Sequence, residues 1–146
     1  MKVIIAENDV EMSDMIQSYL SSCGYDAMIA ESSERLFALL DEGADAVLLD
    51  IGLDEEQEAD ITVVQSGRKL PPTIIFSAWN EARLQLAVQR VGAVAFLAKP
   101  CSLEEVEEGL RKIKTGGLSE LPECDRKEEG REPPSRTRTV RPTLGD

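Results

Sequence analysis

Apolar residues along this chain alternate between short continuous runs and stripes at helical spacing, and the alternation occurs five times. Continuous runs bounded by turn residues predict buried strands, and the stripes predict amphipathic helices. The predicted strands lie near residues 2–6, 25–29, 45–50, 73–77 and 94–97. Strands that alternate regularly with helices are typical of an α/β fold, so we predict a doubly wound, five-stranded parallel sheet.

Capping residues and prolines predict where two of the helices begin and end. Ser102, followed three residues later by Glu105, has the pattern of a capping box and predicts the start of the fifth helix. The third helix is predicted over residues 61–70 and is expected to end at Pro71-Pro72, because proline cannot continue it. The charged run at residues 54–60 fits a loop before this helix.

The helical pattern stops after Lys114, and the residues beyond it are rich in glycine, proline and charged side chains. Too few apolar residues remain there to form a core. We therefore predict a domain at residues 1–115 and a disordered C-terminal tail at residues 116–146. Three interpretations of the tail stay open, a solvated tail, a cloning remnant and a segment that binds a partner.

Composition narrows the classes of function. The formal net charge of −12 argues against a duplex nucleic-acid partner, which requires a basic surface. The absence of histidine excludes histidine-based catalysis and a role as a phosphohistidine donor. Three cysteines without a CxxC pair indicate neither a disulfide framework nor a zinc site. No apolar run is long enough to span a bilayer, so we expect a cytoplasmic protein without membrane insertion.

Reactive side chains stand at the ends of four of the predicted strands. Glu7 follows the first strand, Asp50 ends the third, Ser77 ends the fourth and Lys99 follows the fifth. The carboxyl ends of parallel strands lie along one edge of the sheet, where such folds bind their ligands. The sequence therefore predicts that two acids, a hydroxyl group and a lysine meet at this edge.

These strand ends, taken in order, resemble the receiver domain of bacterial two-component response regulators. The matching segments are residues 3–9, 47–53, 74–78 and 92–100. The resemblance covers residues 1 to about 115 and implies a flavodoxin-like (βα)5 receiver fold. It implies that Asp50 accepts a phosphoryl group from a histidine kinase or a histidine phosphotransfer protein. A conformational switch would then signal to a downstream protein target.

The resemblance also implies a Mg²⁺ site at Glu7, Asn8, Asp50 and the carbonyl group of Gly52. Mg²⁺ suits such a site because it takes one or two carboxylates together with phosphate oxygens and water. Asn8 stands where the family usually has a second acid that binds the metal, which lowers the negative charge of the site. Asp9, one residue later, either compensates for this loss of charge or caps the first helix, and its position in the sequence favours capping.

Three further roles follow from the resemblance. Lys99 would neutralise phosphoryl oxygens, aimed by a cis peptide bond to Pro100. Ser77 would donate a hydrogen bond to the phosphoryl group and move toward it, which lets the aromatic ring of Phe96 turn inward as the second part of the switch. An alternative role for Ser77 is to cap the next helix, for which Asn80 is a rival.

The sequence favours a stand-alone receiver, which is a phosphoacceptor that assists its own phosphorylation and dephosphorylation rather than an enzyme. The first alternative is a pseudo-receiver that binds proteins without phosphorylation, which Asn8 supports. The second is a small enzyme, which the lack of a glycine-rich phosphate loop opposes. Trp79 and Gly52 also predict a long-lived phosphoaspartate, because Trp79 can exclude water and Gly52 has no side chain to orient it.

Overall fold

A computed structural model of the chain describes residues 1–116 and a short strand at residues 137–139. Five strands and five helices alternate over residues 1–116. The strands are β1 (Lys2–Ala6), β2 (Asp26–Ala30), β3 (Ala46–Leu49), β4 (Thr73–Ser77) and β5 (Ala95–Ala98). The helices are α1 (Val10–Ser22), α2 (Ser33–Glu42), α3 (Ala59–Ser66), α4 (Glu81–Val91) and α5 (Leu103–Lys114). None of these helices is long and apolar enough to cross a membrane.

The five strands form one parallel sheet in the order β2-β1-β3-β4-β5. The chain moves outward from β1 to β2, crosses back to β3 and continues to β5, so the strand order reverses beside β1. In doubly wound sheets this reversal lies next to the ligand site. The prediction of a doubly wound, five-stranded parallel sheet is confirmed.

Both faces of the sheet are buried, because successive side chains of a strand point to opposite faces. In β1, Val3 and Ile5 belong to one buried cluster, and Ile4 and Ala6 belong to the other. Helices α1 and α5 cover the first face, and helices α2, α3 and α4 cover the second. Burial on two sides explains why the strands have continuous apolar sequences rather than alternating ones.

Helix α3 ends earlier than the sequence predicted. It spans Ala59–Ser66 rather than residues 61–70, and Gly67 follows it in the left-handed conformation with φ of 71°. The amide group of Gly67 donates to the Val64 carbonyl at 3.1 Å. Glycine adopts this conformation without a Cβ clash, so the glycine ends the helix. The prediction that Pro71-Pro72 ends it was wrong.

The other predicted boundaries agree more closely with the structure. Ser102 and Glu105 form the expected capping box at the start of α5. The carboxylate of Asp9 accepts a hydrogen bond of 3.2 Å from the Met12 amide, so Asp9 caps α1 as predicted. The fifth strand begins at Ala95, one residue after the predicted start.

A sixth strand, β6 (Thr137–Thr139), pairs antiparallel with β5. An edge strand has unpaired backbone groups along its outer side, and these can accept another strand. The expectation of a tail without regular structure therefore differs from the structure at residues 137–139. The rest of the predicted tail lies outside the described residues, and the division of the chain at residue 115 stays a prediction.

Candidate functional site

Asp50 lies at the carboxyl edge of the sheet, directly after β3. Its amide group donates to the Ala6 carbonyl at 3.0 Å, which extends the pairing of β3 with β1 by one residue. The residue is 7% exposed. One carboxylate oxygen, Oδ1, accepts a hydrogen bond of 3.2 Å from the Gly52 amide. The backbone thus fixes the carboxylate and leaves a small part of it open to the surface.

Glu7 and Lys99 lie beside Asp50, as the positions of their strands predict. The Lys99 ammonium group is 2.6 Å from Glu7 Oε1 and 3.6 Å from Asp50 Oδ2. The second Glu7 oxygen accepts a hydrogen bond of 3.1 Å from the Asp9 amide. The lysine also lies over the Phe76 ring, with its nitrogen 4.6 Å from the ring centre. One ammonium group therefore serves two carboxylates.

The electrostatics of this group favour cations. Glu7 is 2% exposed. Burial raises the pKa of the Glu7 carboxyl, the Lys99 hydrogen bond lowers it, and the negative charge of Asp50 raises it again, so that the pKa stays above its ordinary value. Two close carboxylates with one shared lysine leave an excess of negative charge. A second cation at this edge would relieve it.

Asn8 and Gly52 also meet at the site, through a hydrogen bond that the sequence did not predict. The Asn8 amide nitrogen donates to the Gly52 carbonyl at 3.2 Å and to the Leu53 carbonyl at 3.0 Å. The Gly52 carbonyl is the backbone group that the resemblance assigned to the metal. In this arrangement Asn8 occupies that carbonyl group rather than adding an oxygen beside it.

The oxygen atoms at the site nevertheless fit Mg²⁺. Glu7 and Asp50 supply two carboxylates, and the Gly52 carbonyl supplies a neutral oxygen once the Asn8 amide turns away. Mg²⁺ prefers such oxygens and keeps several waters, so it needs few protein ligands. Within the described part of the chain, no three Asp, Glu, Cys or His side chains cluster in a way that could hold a metal. The site thus offers two carboxylates, which is within the one or two that Mg²⁺ usually takes from a protein.

Ser77 ends β4, which lies between β3 and β5 in the sheet. The side chain is buried, and the Ser77 carbonyl accepts a hydrogen bond of 2.8 Å from the Lys99 amide. Helix α4 is capped by Asn80, whose side chain accepts a hydrogen bond from the Arg83 amide at 2.8 Å. The alternative role of Ser77 as the helix cap is therefore excluded.

Phe96 lies within β5, and Pro100 follows the end of that strand. The Phe96 side chain is buried in the cluster covered by α2, α3 and α4. Its exposed fraction is 3%, so the ring has little contact with solvent. The peptide bond between Lys99 and Pro100 is cis, as the resemblance implied.

Comparison with known proteins connects this arrangement to a family. The model of the response regulator receiver domain matches residues 3–111, which is most of the chain. The chain belongs to the response regulator receiver domain family. The resemblance drawn from the strand-end residues is thereby confirmed, together with the assignment to two-component signalling.

Relatives of this receiver domain are longer proteins. It is 24% identical over 112 residues to the transcriptional regulatory protein CpxR of Klebsiella pneumoniae. This alignment covers 77% of this chain and 48% of that protein. It is 29% identical over 117 residues to the sensory transduction protein LytR of Staphylococcus haemolyticus. This alignment covers 78% of this chain and 45% of that protein. The chain spans about half the length of these curated relatives.

Solved structures show the same fold. A response regulator from Chloroflexus aurantiacus gives a TM-score of 0.68 at 21% identity and covers 78% of this chain and 97% of that chain. The chemotaxis response regulator CheY4 of Vibrio cholerae gives a TM-score of 0.66 at 20% identity, with 77% and 97% covered. At these identities the likeness confirms the flavodoxin-like architecture of the receiver domain.

A buried charge cluster beside the site was missed by sequence analysis. The Asp60 side chain is 0% exposed and receives Arg83 at 2.9 and 3.1 Å and Arg90 at 3.2 Å. Burial would raise the pKa of Asp60, but the hydrogen bonds and charge of Arg83, followed by those of Arg90, lower it below its ordinary value. Glu58 also binds Arg83, at 2.7 Å. One feature of the sequence could have indicated this cluster. The two arginines are seven residues apart, which places them on one face of α4.

The charged run at residues 54–60 is bound to the rest of the receiver domain at both of its ends, so it is not a fully solvated loop. At one end, Asp54 accepts hydrogen bonds from the Ser33 amide at 3.0 Å and from the Ser33 hydroxyl group. At the other end, Asp60 is held by α4. The loop that follows the candidate phosphoacceptor is therefore fixed at both ends.

Proposed function

We propose that Asp50 accepts a phosphoryl group from a histidine kinase or a histidine phosphotransfer protein, in a reaction that depends on Mg²⁺. The observation that supports this most strongly is the position of the Asp50 carboxylate, at the open edge of the sheet and 3.6 Å from the Lys99 ammonium group. A nucleophile beside a fixed positive charge is the arrangement that phosphoryl transfer requires.

The transfer needs little from the domain beyond positioning and charge. A carboxylate oxygen of Asp50 attacks phosphorus, an O–P bond forms, and the P–N bond to the donor imidazole breaks, leaving the electron pair on nitrogen. The product is a mixed anhydride, which water later cleaves to restore the carboxylate and release phosphate. Negative charge spreads over three phosphoryl oxygens in the transition state, and Lys99 neutralises part of it.

Glu7, Asp50 and the Gly52 carbonyl group would hold Mg²⁺, after the Asn8 amide releases that carbonyl. The ion would neutralise phosphoryl oxygens and position them for in-line attack. The 2.6 Å contact of Lys99 with Glu7 means that the lysine is available to the phosphoryl group once Glu7 has another cation. The same domain then also assists the hydrolysis, which makes it a phosphoacceptor rather than an enzyme with a separate substrate.

The signal would leave the site through Ser77 and Phe96. Ser77 lies on the neighbouring strand, and its hydroxyl group can donate a hydrogen bond to a phosphoryl oxygen on Asp50. Both side chains are buried, so a shift of Ser77 changes the space available to its neighbours. The phosphoryl group favours one of two arrangements only through the contacts that it makes in that arrangement.

The partners that we propose are a cytoplasmic phosphodonor and a downstream protein. A net charge of −12 disfavours direct contact with duplex DNA or RNA. The longer relatives include proteins named as transcriptional regulators. The downstream protein would instead bind the surface formed by α4, β5 and α5, and its affinity would depend on the conformation of these elements.

Intact mass spectrometry tests the proposal. The protein is incubated with acetyl phosphate and Mg²⁺, and a parallel sample contains EDTA. We expect a gain of one phosphoryl group, lost in EDTA and in Asp50→Asn. An unmodified mass in protein whose fold is intact by circular dichroism would refute the proposal. It would favour the pseudo-receiver alternative, which the bond between Asn8 and Gly52 supports.

A further inference from the structure

Arg83 lies between the two loops that flank Asp50 on the α3 and α4 side of the sheet. The first loop leads from Asp50 to α3, and the second leads from Ser77 to α4. Arg83 is in the first turn of α4 and its side chain is largely buried. It contacts residues at the end of each loop, so it is the bridge between them.

The contacts with the first loop are ionic and directional. Both terminal nitrogens of Arg83 bind Asp60, at 2.9 and 3.1 Å, and one of them also binds Glu58 at 2.7 Å. The planar guanidinium group matches a carboxylate with two parallel hydrogen bonds, which fixes its orientation as well as its distance. Arg90 binds the same Asp60 carboxylate two turns further along α4, at 3.2 Å. Helix α4 is therefore held to the start of α3 at two points.

The contact with the second loop is a stacking contact. The Arg83 guanidinium carbon lies 5.1 Å from the centre of the Trp79 ring. Trp79 is 40% exposed, so much of its surface lies outside the apolar core. A cation over the face of an indole ring is an attractive arrangement, and tryptophan is the best partner for it. The ring of Trp79 thus rests on a side chain that α3 holds in place.

We propose that Arg83 is a positioning residue, which holds Trp79 against the edge of the phosphorylation site and thereby slows the hydrolysis of phosphorylated Asp50. This rests on the proposed function. Trp79 is two residues beyond Ser77, so its backbone lies within about 7 Å of the hydroxyl residue that would contact the phosphoryl group. A ring held there limits the approach of water. A ring released from Arg83 leaves the path open.

The first measurement is acrylamide quenching of Trp79, the sole tryptophan of the chain. We expect the quenching constant to rise in Arg83→Gln. Loss of the cation–π contact lowers the population of the stacked Trp79 ring, relative to the released ring, by about two- to fivefold. Asp60→Asn and Glu58→Gln should cause a smaller rise through Arg83, because each removes a carboxylate that binds the guanidinium group. Glu58 is partly exposed, so its variant is expected to fold even if the variant at buried Asp60 does not.

Arg68→Gln is the matched control. Arg68 also binds a carboxylate, Asp41 at 2.8 Å, and also stacks on an aromatic ring, that of Phe37 at 4.9 Å. It is attached to neither loop beside Asp50. We expect this variant to leave both the quenching of Trp79 and the phosphoaspartate lifetime unchanged.

The second measurement is the lifetime of the phosphoryl group, followed by intact mass after the donor is removed. We expect Arg83→Gln to shorten it by about two- to fivefold, in proportion to the quenching, and the double variant with Asp60→Asn to shorten it no further. Unchanged quenching in Arg83→Gln, or increased quenching with an unchanged lifetime, would overturn the inference. If the wild-type protein takes no phosphoryl group, the proposed function fails, and quenching still decides whether Arg83 positions Trp79.

Discussion

The ammonium group of Lys99 lies closer to Glu7 than to Asp50, at 2.6 Å against 3.6 Å. The lysine therefore pairs more closely with Glu7 than with Asp50, the candidate phosphoacceptor. A metal ion at Glu7 would replace the lysine there and release it toward Asp50. Occupation of the metal site and the availability of Lys99 for the phosphoryl group are in this way coupled.

Removal of the Lys99 ammonium group should slow phosphorylation. We expect Lys99→Ala to lower the rate of phosphoryl uptake from acetyl phosphate roughly 100-fold, the usual cost of one lost electrostatic group at a reacting centre. Intact mass at successive times measures the rate. Lys112→Ala, which removes an exposed lysine on α5, is the control and should react like the wild type. Equal rates for Lys99→Ala and the wild type would show that Lys99 has no part in the transfer.

A carboxylate at position 8 should strengthen the binding of Mg²⁺. Asn8→Asp adds a negative charge and removes the amide donor that now occupies the Gly52 carbonyl. We expect Mg²⁺ affinity to rise roughly tenfold, because affinity for such ions increases with the number of charged ligands. Calorimetric titration measures it. Asn8→Ala frees the carbonyl without adding charge and should give a smaller gain; affinity unchanged in Asn8→Asp would place the metal elsewhere.

A polar side chain at position 52 should shorten the phosphoaspartate lifetime. A Cβ at Gly52 would lie 3.8 and 3.9 Å from the two Asp50 oxygens, which is ordinary contact and leaves room for a side chain. The amide of Gly52→Asn can orient water beside the phosphoryl group, and we expect hydrolysis about tenfold faster from that orientation. Gly52→Ala fills the same space without a polar group and should hydrolyse at the wild-type rate. A lifetime unaffected by asparagine would contradict the predicted reason for slow hydrolysis.

The sheet could be predicted from the sequence because its strands are buried on both faces. Continuous apolar runs, such as the one that ends at Asp50, are typical of strands in a parallel sheet, and parallel topology brings the carboxyl ends of these strands together. The end of α3 was harder to predict from the sequence, because both a glycine and a pair of prolines follow the helical pattern and either can end a helix. Only the conformation of Gly67 shows which one acts first. Strand β6 could not be predicted, since its pairing depends on the free edge of β5 rather than on its own composition.

Site residues that follow a strand were predictable, and those that meet across helices were not. Glu7, Asp50 and Lys99 meet because the sheet order brings their strands together. Asp60 and Arg83 are 23 residues apart on two different helices, and a charged run usually lies in solvent. The hydrogen bond from Asn8 to the Gly52 carbonyl likewise depends on the fold of a loop. The seven-residue spacing of the two arginines places them on one face of α4, but it does not identify Asp60 as their partner.

The charge cluster at Asp60 should make stability depend on acid. The pKa of Asp60 is lowered from 3.8 in the folded state, so the unfolded chain takes up its proton first as the pH falls. The stabilisation is complete above that value and is lost as the pH falls through the lower pKa of the folded state. Asp60→Asn should lower the free energy of unfolding by about 3 kcal/mol at neutral pH, and by less below the pKa.

Urea unfolding near pH 7 and in a series below about pH 4 measures this difference. Asp41→Asn, at an exposed pair with Arg68, is the control and should change the free energy of unfolding by less than about 1 kcal/mol at any pH. A difference between Asp60→Asn and the wild type that does not shrink in acid would mean that the cost comes from packing rather than from charge.

Chemical trapping of the phosphorylated residue tests the central claim most directly. Borohydride reduces the acyl carbon of the mixed anhydride and releases phosphate, so a phosphorylated aspartate becomes homoserine. The protein is treated with acetyl phosphate and Mg²⁺, reduced, digested and sequenced by tandem mass spectrometry. We predict homoserine in place of Asp50 and at no other acid. Homoserine in place of Asp9 or Asp54, or intact aspartate throughout, would contradict the account.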